Sequence, residues 1–341
     1  MMNKKLFQNK SVLITGATGS IGSAITEEIL RYNCKVVRAM SNDEDGIYSL
    51  SEALTRKNES LKMNMKKNKI RYLVGDIRDL KRCTEICENI DIVIHAAAMK
   101  HVPVCEYNPG EAKKTNIVGT KNMISAAIKC KVKKFLFIST DKAVNPSSWM
   151  GKTKLVAEQF VLKSNFIKKN KVTFFSVIRF GNVIGSRGSV LPKFLTQIRL
   201  NQNLSVTHKN VTRFFITINL AVKGVLEAIK IMKGGEKFVI HNMLSLKIYD
   251  LAKTLKEYFK YKKNISIKGL RDGEKLYEEL ATRNEMKSYN VKKNLIILLD
   301  SKKFNEKNIN FKKKVYSLSS QNSKLLSKAL ILKFLQKSKL I

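Results

Sequence analysis

The sequence predicts an α/β fold: a doubly wound parallel sheet followed by a smaller mixed region. Short apolar runs recur at 11–15 (SVLIT), 35–40 (KVVRAM), 70–74 (IRYLV), 90–96 (IDIVIHA), 133–139 (KKFLFIS) and 173–180 (TFFSVIRF). They have the length of strands, and their nearly unbroken apolarity suits a sheet covered on both faces. Helix-like segments separate them around 47–56, 79–88, 111–130 and 150–168, so each crossover is helical and the strands run parallel. The first run ends in a glycine turn, TGATGSIG, that opens a helix with Ile21, Ala24, Ile25, Ile29 and Leu30 along one side. After about residue 185 the rhythm weakens. SVLPKFLTQIRLNQ, INLAVKGVLEAIKIM and IYDLAKTLKEYFKY read as helices and EKFVIHN as a returning strand, with no internal repeat.

Composition narrows the class. The 341 residues are 44% hydrophobic, ordinary for a globular chain, and no apolar stretch has the length to cross a bilayer. The N-terminal MMNKKLFQNKSVLITG is basic, but its apolar part is strand-sized and leads into the glycine turn, so no signal peptide is expected. Five scattered cysteines suit a reducing cytoplasm; Cys83 and Cys87 lack zinc-site spacing, and no metal is expected. The formal charge of +38 admits a nucleic-acid binder. Yet the lysines are dispersed and rise together with Asn and Ile, which favours solvated decoration, in stretches such as KMNMKKNK (62–69) and NFKKK (310–314), over a nucleic-acid partner.

The glycine turn carries the first chemistry. Gly16 permits a tight turn, Gly19 lets backbone N–H groups approach a pyrophosphate, and Gly22 lets helix and strand pack closely. With Thr18, Ser20 and Ile21 they make a Rossmann-type phosphate loop of G-x-x-G-x-x-G spacing, the form used by short-chain dehydrogenases. In GDIRD (75–79), Asp76 is placed to meet an adenine amino group and Ile77 to cover the ring. Ala96, Ala97 and Ala98 end the next strand with small side chains, allowing close approach of a ribose and diphosphate or simply tight packing. The second strand ends in Ser41 and Asn42 before Asp43 and Glu44, which leaves NAD and NADP both open.

TGATGSIG, GDIRD, HAAAMKHVPVCEYNPGEAKKTNIVGT, STDKAVNPSSWMGKTK, RFGNVIGSRGSVLPKF, TRFFIT and GEKLYEEL follow one another in order. As a set they closely resemble the UDP-N-acetylglucosamine 4,6-dehydratases, extended short-chain dehydrogenases of bacterial surface-polysaccharide synthesis, over roughly residues 8–280. The resemblance implies a tightly bound, recycled NAD or NADP and a UDP-sugar substrate. The cycle is oxidation at C4, loss of the C5 proton, departure of water from C6 and hydride return to C6. By the same resemblance Thr140 bonds the C4 oxygen, Asp141 protonates the leaving C6 hydroxyl, and Lys142 is the C5 base. Lys142 must then be partly neutral, which burial and the positive Lys154 favour. Lys154 is expected on the nicotinamide ribose, with Met150 near sugar or nicotinamide where relatives carry a tyrosine. The acceptor of the C4 proton stays open between Asp141 and a relayed water.

Substrate grip is expected from Lys100 and His101, with Glu106 nearby, and from Asn182, Arg187, Lys193, Arg213, Arg271 and Glu274. His101 equally suits a structural hydrogen-bonding role. Asp272 stands where the last motif usually has proline, which puts that turn in doubt. The chain divides as 1–180, dinucleotide-binding with the catalytic segment; 181–285, nucleotide-sugar-binding with returns to the sheet; and 286–341, a basic C-terminal extension. Its amphipathic close, SKLLSKALILKFLQKSKLI, packs on the body or on a partner. The resemblance further implies the soluble short form of the family and a homo-oligomer. Both C5 outcomes occur among relatives, and Met-x-x-x-Lys inclines the expectation toward retention. The alternatives are a UDP-HexNAc 4-epimerase and a non-catalytic nucleotide- or nucleic-acid-binding relative; the Asp141–Lys142 pair favours dehydration, since epimerisation needs no C6 acid.

Overall fold

The computed structural model describes residues 6–60, 69–299 and 316–341; most of KMNMKKNK and all of NFKKK lie outside them. The first half alternates strand and helix: β1 (Ser11–Thr15), α1 (Ser20–Leu30), β2 (Val36–Ser41), α2 (Glu44–Ser60), β3 (Ile70–Val74), α3 (Leu80–Cys87), β4 (Ile92–His95). Two short helices, α4 (Val102–Tyr107) and α5 (Pro109–Lys113), lead through a π-helical stretch (Lys114–Gly119) into α6 (Thr120–Lys129). The helix expected over 111–130 is therefore three pieces. Then come β5 (Lys134–Ile138), a 3₁₀ turn (Asp141–Ala143), α7 (Trp149–Lys163) and β6 (Phe174–Arg179). The second half holds β7 (Asn182–Val183), α8 (Val190–Arg199), β8 (Leu204–Val206), β9 (Thr212–Ile216), α9 (Ile218–Ile231), β10 (Lys237–Ile240), β11 (Leu244–Lys247), α10 (Ile248–Tyr258) and β12 (Ile265–Ile267). It closes with β13 (Glu279–Ala281), β14 (Tyr289–Lys292), β15 (Leu295–Leu298), β16 (Leu318–Ser319) and α11 (Lys328–Lys337).

The central sheet has the order β14-β15-β10-β6-β5-β4-β1-β2-β3, and the seven strands from β10 to β3 are parallel. Strand alternation feeds two cores. Val12, Ile14, Leu136 and Ile138 face α1 and α9, meeting Ile25, Ile29 and Val225, while Leu13, Phe135 and Phe137 face α3, α6 and α7, meeting Ile86, Met123 and Val161. Each such side chain, fully buried, contributes about 1.5–3 kcal/mol. The chain winds outward from β1 through β2 to β3, then crosses over to β4. That reversal opens a crevice at the C-terminal ends of β1 and β4, where this class of sheet takes its ligands.

The smaller region packs α8, α10 and α11 around Phe194, Phe215, Leu246, Leu251, Ile331 and Leu335. Here the expected division needs correction. Residues 289–298 belong to the main body and not to an appended extension: β15 pairs antiparallel with β10 and β14 with β15, adding a hairpin to the main sheet. The physical reason is the exposed edge of β10, whose free N–H and C=O groups the hairpin satisfies. The amphipathic close is α11, and Ile331 and Leu335, one turn apart, are fully buried against the body.

Candidate active site

The crevice begins where β1 ends. Gly16 has φ +66°, and a Cβ there would lie 2.7 Å from the backbone of Ala97, so the loop passes β4 closer than any side chain permits. Gly19 N–H donates to the Gly16 carbonyl at 3.0 Å and starts α1, whose first N–H groups have no helical partner and face the crevice. Thr18 and Ser41 hydroxyls meet at 3.0 Å, joining the loop to the end of β2. Asp43 caps α2 by accepting from Gly46 N–H at 2.9 Å. Ala96, Ala97 and Ala98 are half-buried at the end of β4, and Ala97 N–H donates to Thr15 Oγ1. Ser20 and Ile21 open α1. These residues fit a dinucleotide: a backbone cradle that a Cβ would fill, and a helix N-terminus for the diphosphate charge.

Two expected adenine contacts are arranged differently. Asp76 accepts Arg78 N–H at 2.8 Å and its guanidinium at 2.6 and 2.8 Å. Desolvation would raise this carboxyl, but the Arg78 bonds outweigh it and hold it below its usual value. Ile77 is buried in the core beside Gly119, so its side chain does not cover a ring in the crevice.

The catalytic segment leaves β5 and turns at once into the 3₁₀ turn. Asp141 is fully buried; its Oδ1 accepts from Thr140 Oγ1 at 2.8 Å and from Lys142 Nζ at 3.0 Å, and its Oδ2 has no hydrogen-bond partner among the described residues. Lys142 Nζ also donates to Asn182 Oδ1 at 3.1 Å and lies 3.8 Å from Glu278 Oε1. Lys142 Nζ is thus placed between the carboxyl groups of Asp141 and Glu278, where the sequence pointed to burial and the Lys154 charge as its surroundings. Ser148 caps α7, accepting Gly151 N–H at 3.1 Å and placing Lys154 under β5. Lys154 Nζ donates to the Ile138 carbonyl at 2.6 Å and sits 3.9 Å from the Phe137 ring centre. Burial lowers its pKa to about 7, with Glu158 opposing. Met150 is buried with Cys105 and Ala112 where α7 meets α4 and α5. Its thioether packs these helices together, in a cluster that Met99 and Val102 join.

Beside Lys142 a cavity of about 270 Å³ is lined by Lys100, His101, Asn182, Lys193, Arg213, Arg271 and Glu274, seven of the eight expected substrate residues. Burial and the neighbouring Arg187 charge lower Lys100; burial and Lys100 lower His101; burial and Arg271 lower Lys193. Arg213 is nearly buried and spends its donors on Glu274 Oε1 at 3.2 Å and on the carbonyls of Lys275 and Thr212, both at 2.8 Å. It lines the cavity and also holds the 274–276 segment in place. Glu274 also accepts from Thr207 Oγ1 and from Arg271 N–H. The turn survives without its proline: Glu274 N–H bonds the Arg271 carbonyl at 2.9 Å across Asp272 and Gly273, the latter at φ +72° as a type II turn requires. Arg187 is the residue set apart from the cavity. Its N–H donates to Ser20 Oγ, its guanidinium to the Thr18 carbonyl, and its own carbonyl accepts from Lys100 Nζ, so it straps the glycine loop.

A family model described as polysaccharide biosynthesis protein matches residues 12–300. The chain belongs to that family. It is 45% identical over 287 residues to an uncharacterized membrane protein of Methanocaldococcus jannaschii, covering 82% of this chain and 83% of that one. It is 42% identical to the UDP-N-acetylglucosamine 4,6-dehydratase (inverting) of Campylobacter jejuni, over 82% and 80% of the two chains. It is 37% identical to the UDP-glucose 4-epimerase of Rickettsia felis, with the same coverage. The solved structure of Pen from Bacillus thuringiensis superposes with a TM-score of 0.89 at 40% identity, over 98% of this chain and 99% of that one. Those family members that carry an activity in their names are nucleotide-sugar-modifying enzymes.

Within this polysaccharide biosynthesis fold, sequence reasoning missed three residues. Buried His95 links Thr15 (2.7 Å) to Thr120 (3.1 Å); burial and then Lys154 push it down to about 3, so its ring stays neutral. Asn116, in the π-helical stretch, ties Met99 to Thr153 on α7. Glu278 lines the cavity and faces Lys142. A polar residue inside an apolar run marked His95, but nothing local distinguished Glu278 from its neighbour Glu279. Among the described residues no helix is long and apolar enough to cross a membrane, and no cluster suits a metal ion.

Proposed function

We propose that this protein dehydrates UDP-N-acetylglucosamine to a UDP-4-keto-6-deoxy-HexNAc, with NAD or NADP recycled in place. The observation that carries the reading is the fully buried Asp141, bonded through Oδ1 to Thr140 and Lys142 and left with a free Oδ2. An oxidoreductase step alone does not need a buried acid–base pair of this kind. Gly16, Thr18, Gly19, Ser20 and Gly22 would hold a nicotinamide dinucleotide, which would supply the redox chemistry that the cycle needs at C4 and C6.

The chain's own groups handle the protons. Thr140 bonds the C4 hydroxyl and relays its proton to Asp141, which carries it to the departing C6 hydroxyl, so the acid is charged by the first step and discharged by the second. Lys142 takes the C5 proton as the C5–H electrons move toward the C4 ketone, and gives a proton back to C5 once C6 is reduced. Lys154 would meet the nicotinamide ribose, where its positive charge would favour hydride departure from the sugar. Lys100, Lys193 and Arg271 set cationic donors along the cavity for a diphosphate, as a UDP-sugar requires.

Proton NMR of the purified protein with UDP-N-acetylglucosamine and added NAD⁺ or NADP⁺ tests this. A new C6 methyl doublet with loss of one water by mass is the expected result. A product with C6 intact and C4 inverted means the epimerase that the Rickettsia relative is named for, and no turnover overturns the enzyme reading. The Campylobacter relative bears the name inverting, against the expectation of retention, and ring couplings of the product decide C5.

A further inference from the structure

The carboxylate that faces Lys142 from the nucleotide-binding motif has a task in the reaction. Glu278 is buried in the cavity wall, where three basic side chains converge on it: Lys275 Nζ at 3.1 Å from Oε2, Lys142 Nζ at 3.8 Å and Arg213 Nε at 3.9 Å from Oε1. Its backbone is fixed, since Glu278 N–H donates to Ser320 Oγ at 3.1 Å and its carbonyl accepts from Ser320 N–H at 2.8 Å. The other two cations are already committed. Arg213 spends its donors on Glu274 and the 274–276 backbone, and Lys275 Nζ donates to the Val144 and Asn145 carbonyls at 3.0 and 3.2 Å. Lys142 is the one whose partnership must change during turnover.

We infer that Glu278 is a positioning residue that supplies the counter-charge for Lys142 when Asp141 leaves it. The inference rests on the dehydratase reading. Before the reaction Lys142 is the neutral amine that a base must be, and Asp141 Oδ1 accepts from its Nζ at 3.0 Å. Once Asp141 carries a proton toward C6, its negative charge is gone, and Lys142 becomes an ammonium by taking the C5 proton at the same stage. A buried ammonium without an anion is costly, and Glu278 Oε1, less than 1 Å beyond hydrogen-bond range, is placed to close on it. Glu278 touches no reacting atom; it acts through Lys142. Because it also leans on Arg213 and Lys275, it couples occupancy of the nucleotide motif to the aim of the base.

The test uses the full chain with bound dinucleotide, comparing wild type with Glu278→Gln and Glu278→Asp on UDP-N-acetylglucosamine. Glu278→Gln is expected to lower kcat roughly ten- to hundredfold while KM stays within about threefold, below the roughly 10²–10⁴-fold of a group that transfers the proton itself. Reduced-nicotinamide absorbance should build up during turnover, because C4 oxidation proceeds while C5 deprotonation lags. Glu278→Asp, which keeps the charge, should recover part of the rate; if Glu278→Gln does not fold, a kcat loss at steady KM in Glu278→Asp with full dinucleotide content upholds the role. Unchanged kcat in Glu278→Gln, or loss of C4 oxidation in proportion to product, overturns it. Wild type that forms no dehydrated product instead brings down the dehydratase reading itself.

Discussion

Lys154 shows what burial does to one residue. Beneath Phe137 and bonded to the Ile138 carbonyl, its amine has a pKa lowered to about 7 by desolvation. In the unfolded chain a lysine titrates near 10.4. Below about pH 7 both states are protonated and folding bears the whole cost of a buried charge. Between that point and about 10.4 the unfolded chain binds more protons, so stability from this site rises with pH. Lys154→Met removes the charge, and its melting temperature, measured on protein stripped of dinucleotide, should exceed wild type most at and below neutral pH. The gap, on the order of 2–4 kcal/mol, should shrink toward pH 10. A gap independent of pH would show that Lys154 is not the titrating group. Such a residue is stability given up for function, since the same ammonium is what a nicotinamide ribose would meet.

At the scale of elements, the site is made where the 271–274 turn touches the start of α7. A Cβ on Gly273 would lie 2.8 Å from Ser148 Cβ and 3.0 Å from its Cα, and the backbone there is left-handed at φ +72°. The Gly273 carbonyl also accepts from Ser147 Oγ at 2.7 Å. Gly273→Ala therefore forces the turn off α7, at a cost of about 1–3 kcal/mol. Because the turn carries Arg271 and Glu274 on the cavity lining, KM for the proposed UDP-sugar substrate should rise roughly tenfold or more, the binding equivalent of that cost, while dinucleotide content stays at the wild-type level. Equal loss of both would mean that the turn supports the whole fold. The same logic of one element holding another runs through Arg187, which reaches from the loop before α8 to the glycine loop of α1.

Over the whole molecule, the positive charge proves a poor guide to architecture. Lysines crowd the last sixty residues, and so this region reads as an appendage, yet it supplies a sheet hairpin and a packed helix. Removing residues 327–341 takes away Ile331 and Leu335 and should expose the core beneath them, losing at least about 3–6 kcal/mol on the two side chains alone. A sharply lowered melting temperature or insoluble protein is the expected outcome; an unchanged melt would restore the appendage. The first six strands were legible because each is a short apolar run bounded by a turn, and β1 ends in a glycine pattern with one geometric meaning. The hairpin was not, because YNVKKNLIIL mixes charge into its strands and earns its place only by pairing with β10.

What the sequence determined by itself is the local chemistry: which runs become strands, where the phosphate loop lies, and that Thr140, Asp141 and Lys142 leave a strand end together. Those properties depend on a residue and its near neighbours along the chain. Tertiary structure decided the rest. It turned Met150 into a helix–helix contact, moved Arg187 from the substrate cavity to the cofactor loop, spent Arg213 on the backbone, and brought Glu278 to Lys142 across 136 residues. Each of these depends on which side chain lies within a few ångströms in space, and on how much water is excluded between them. Spacing along the chain carries no record of that.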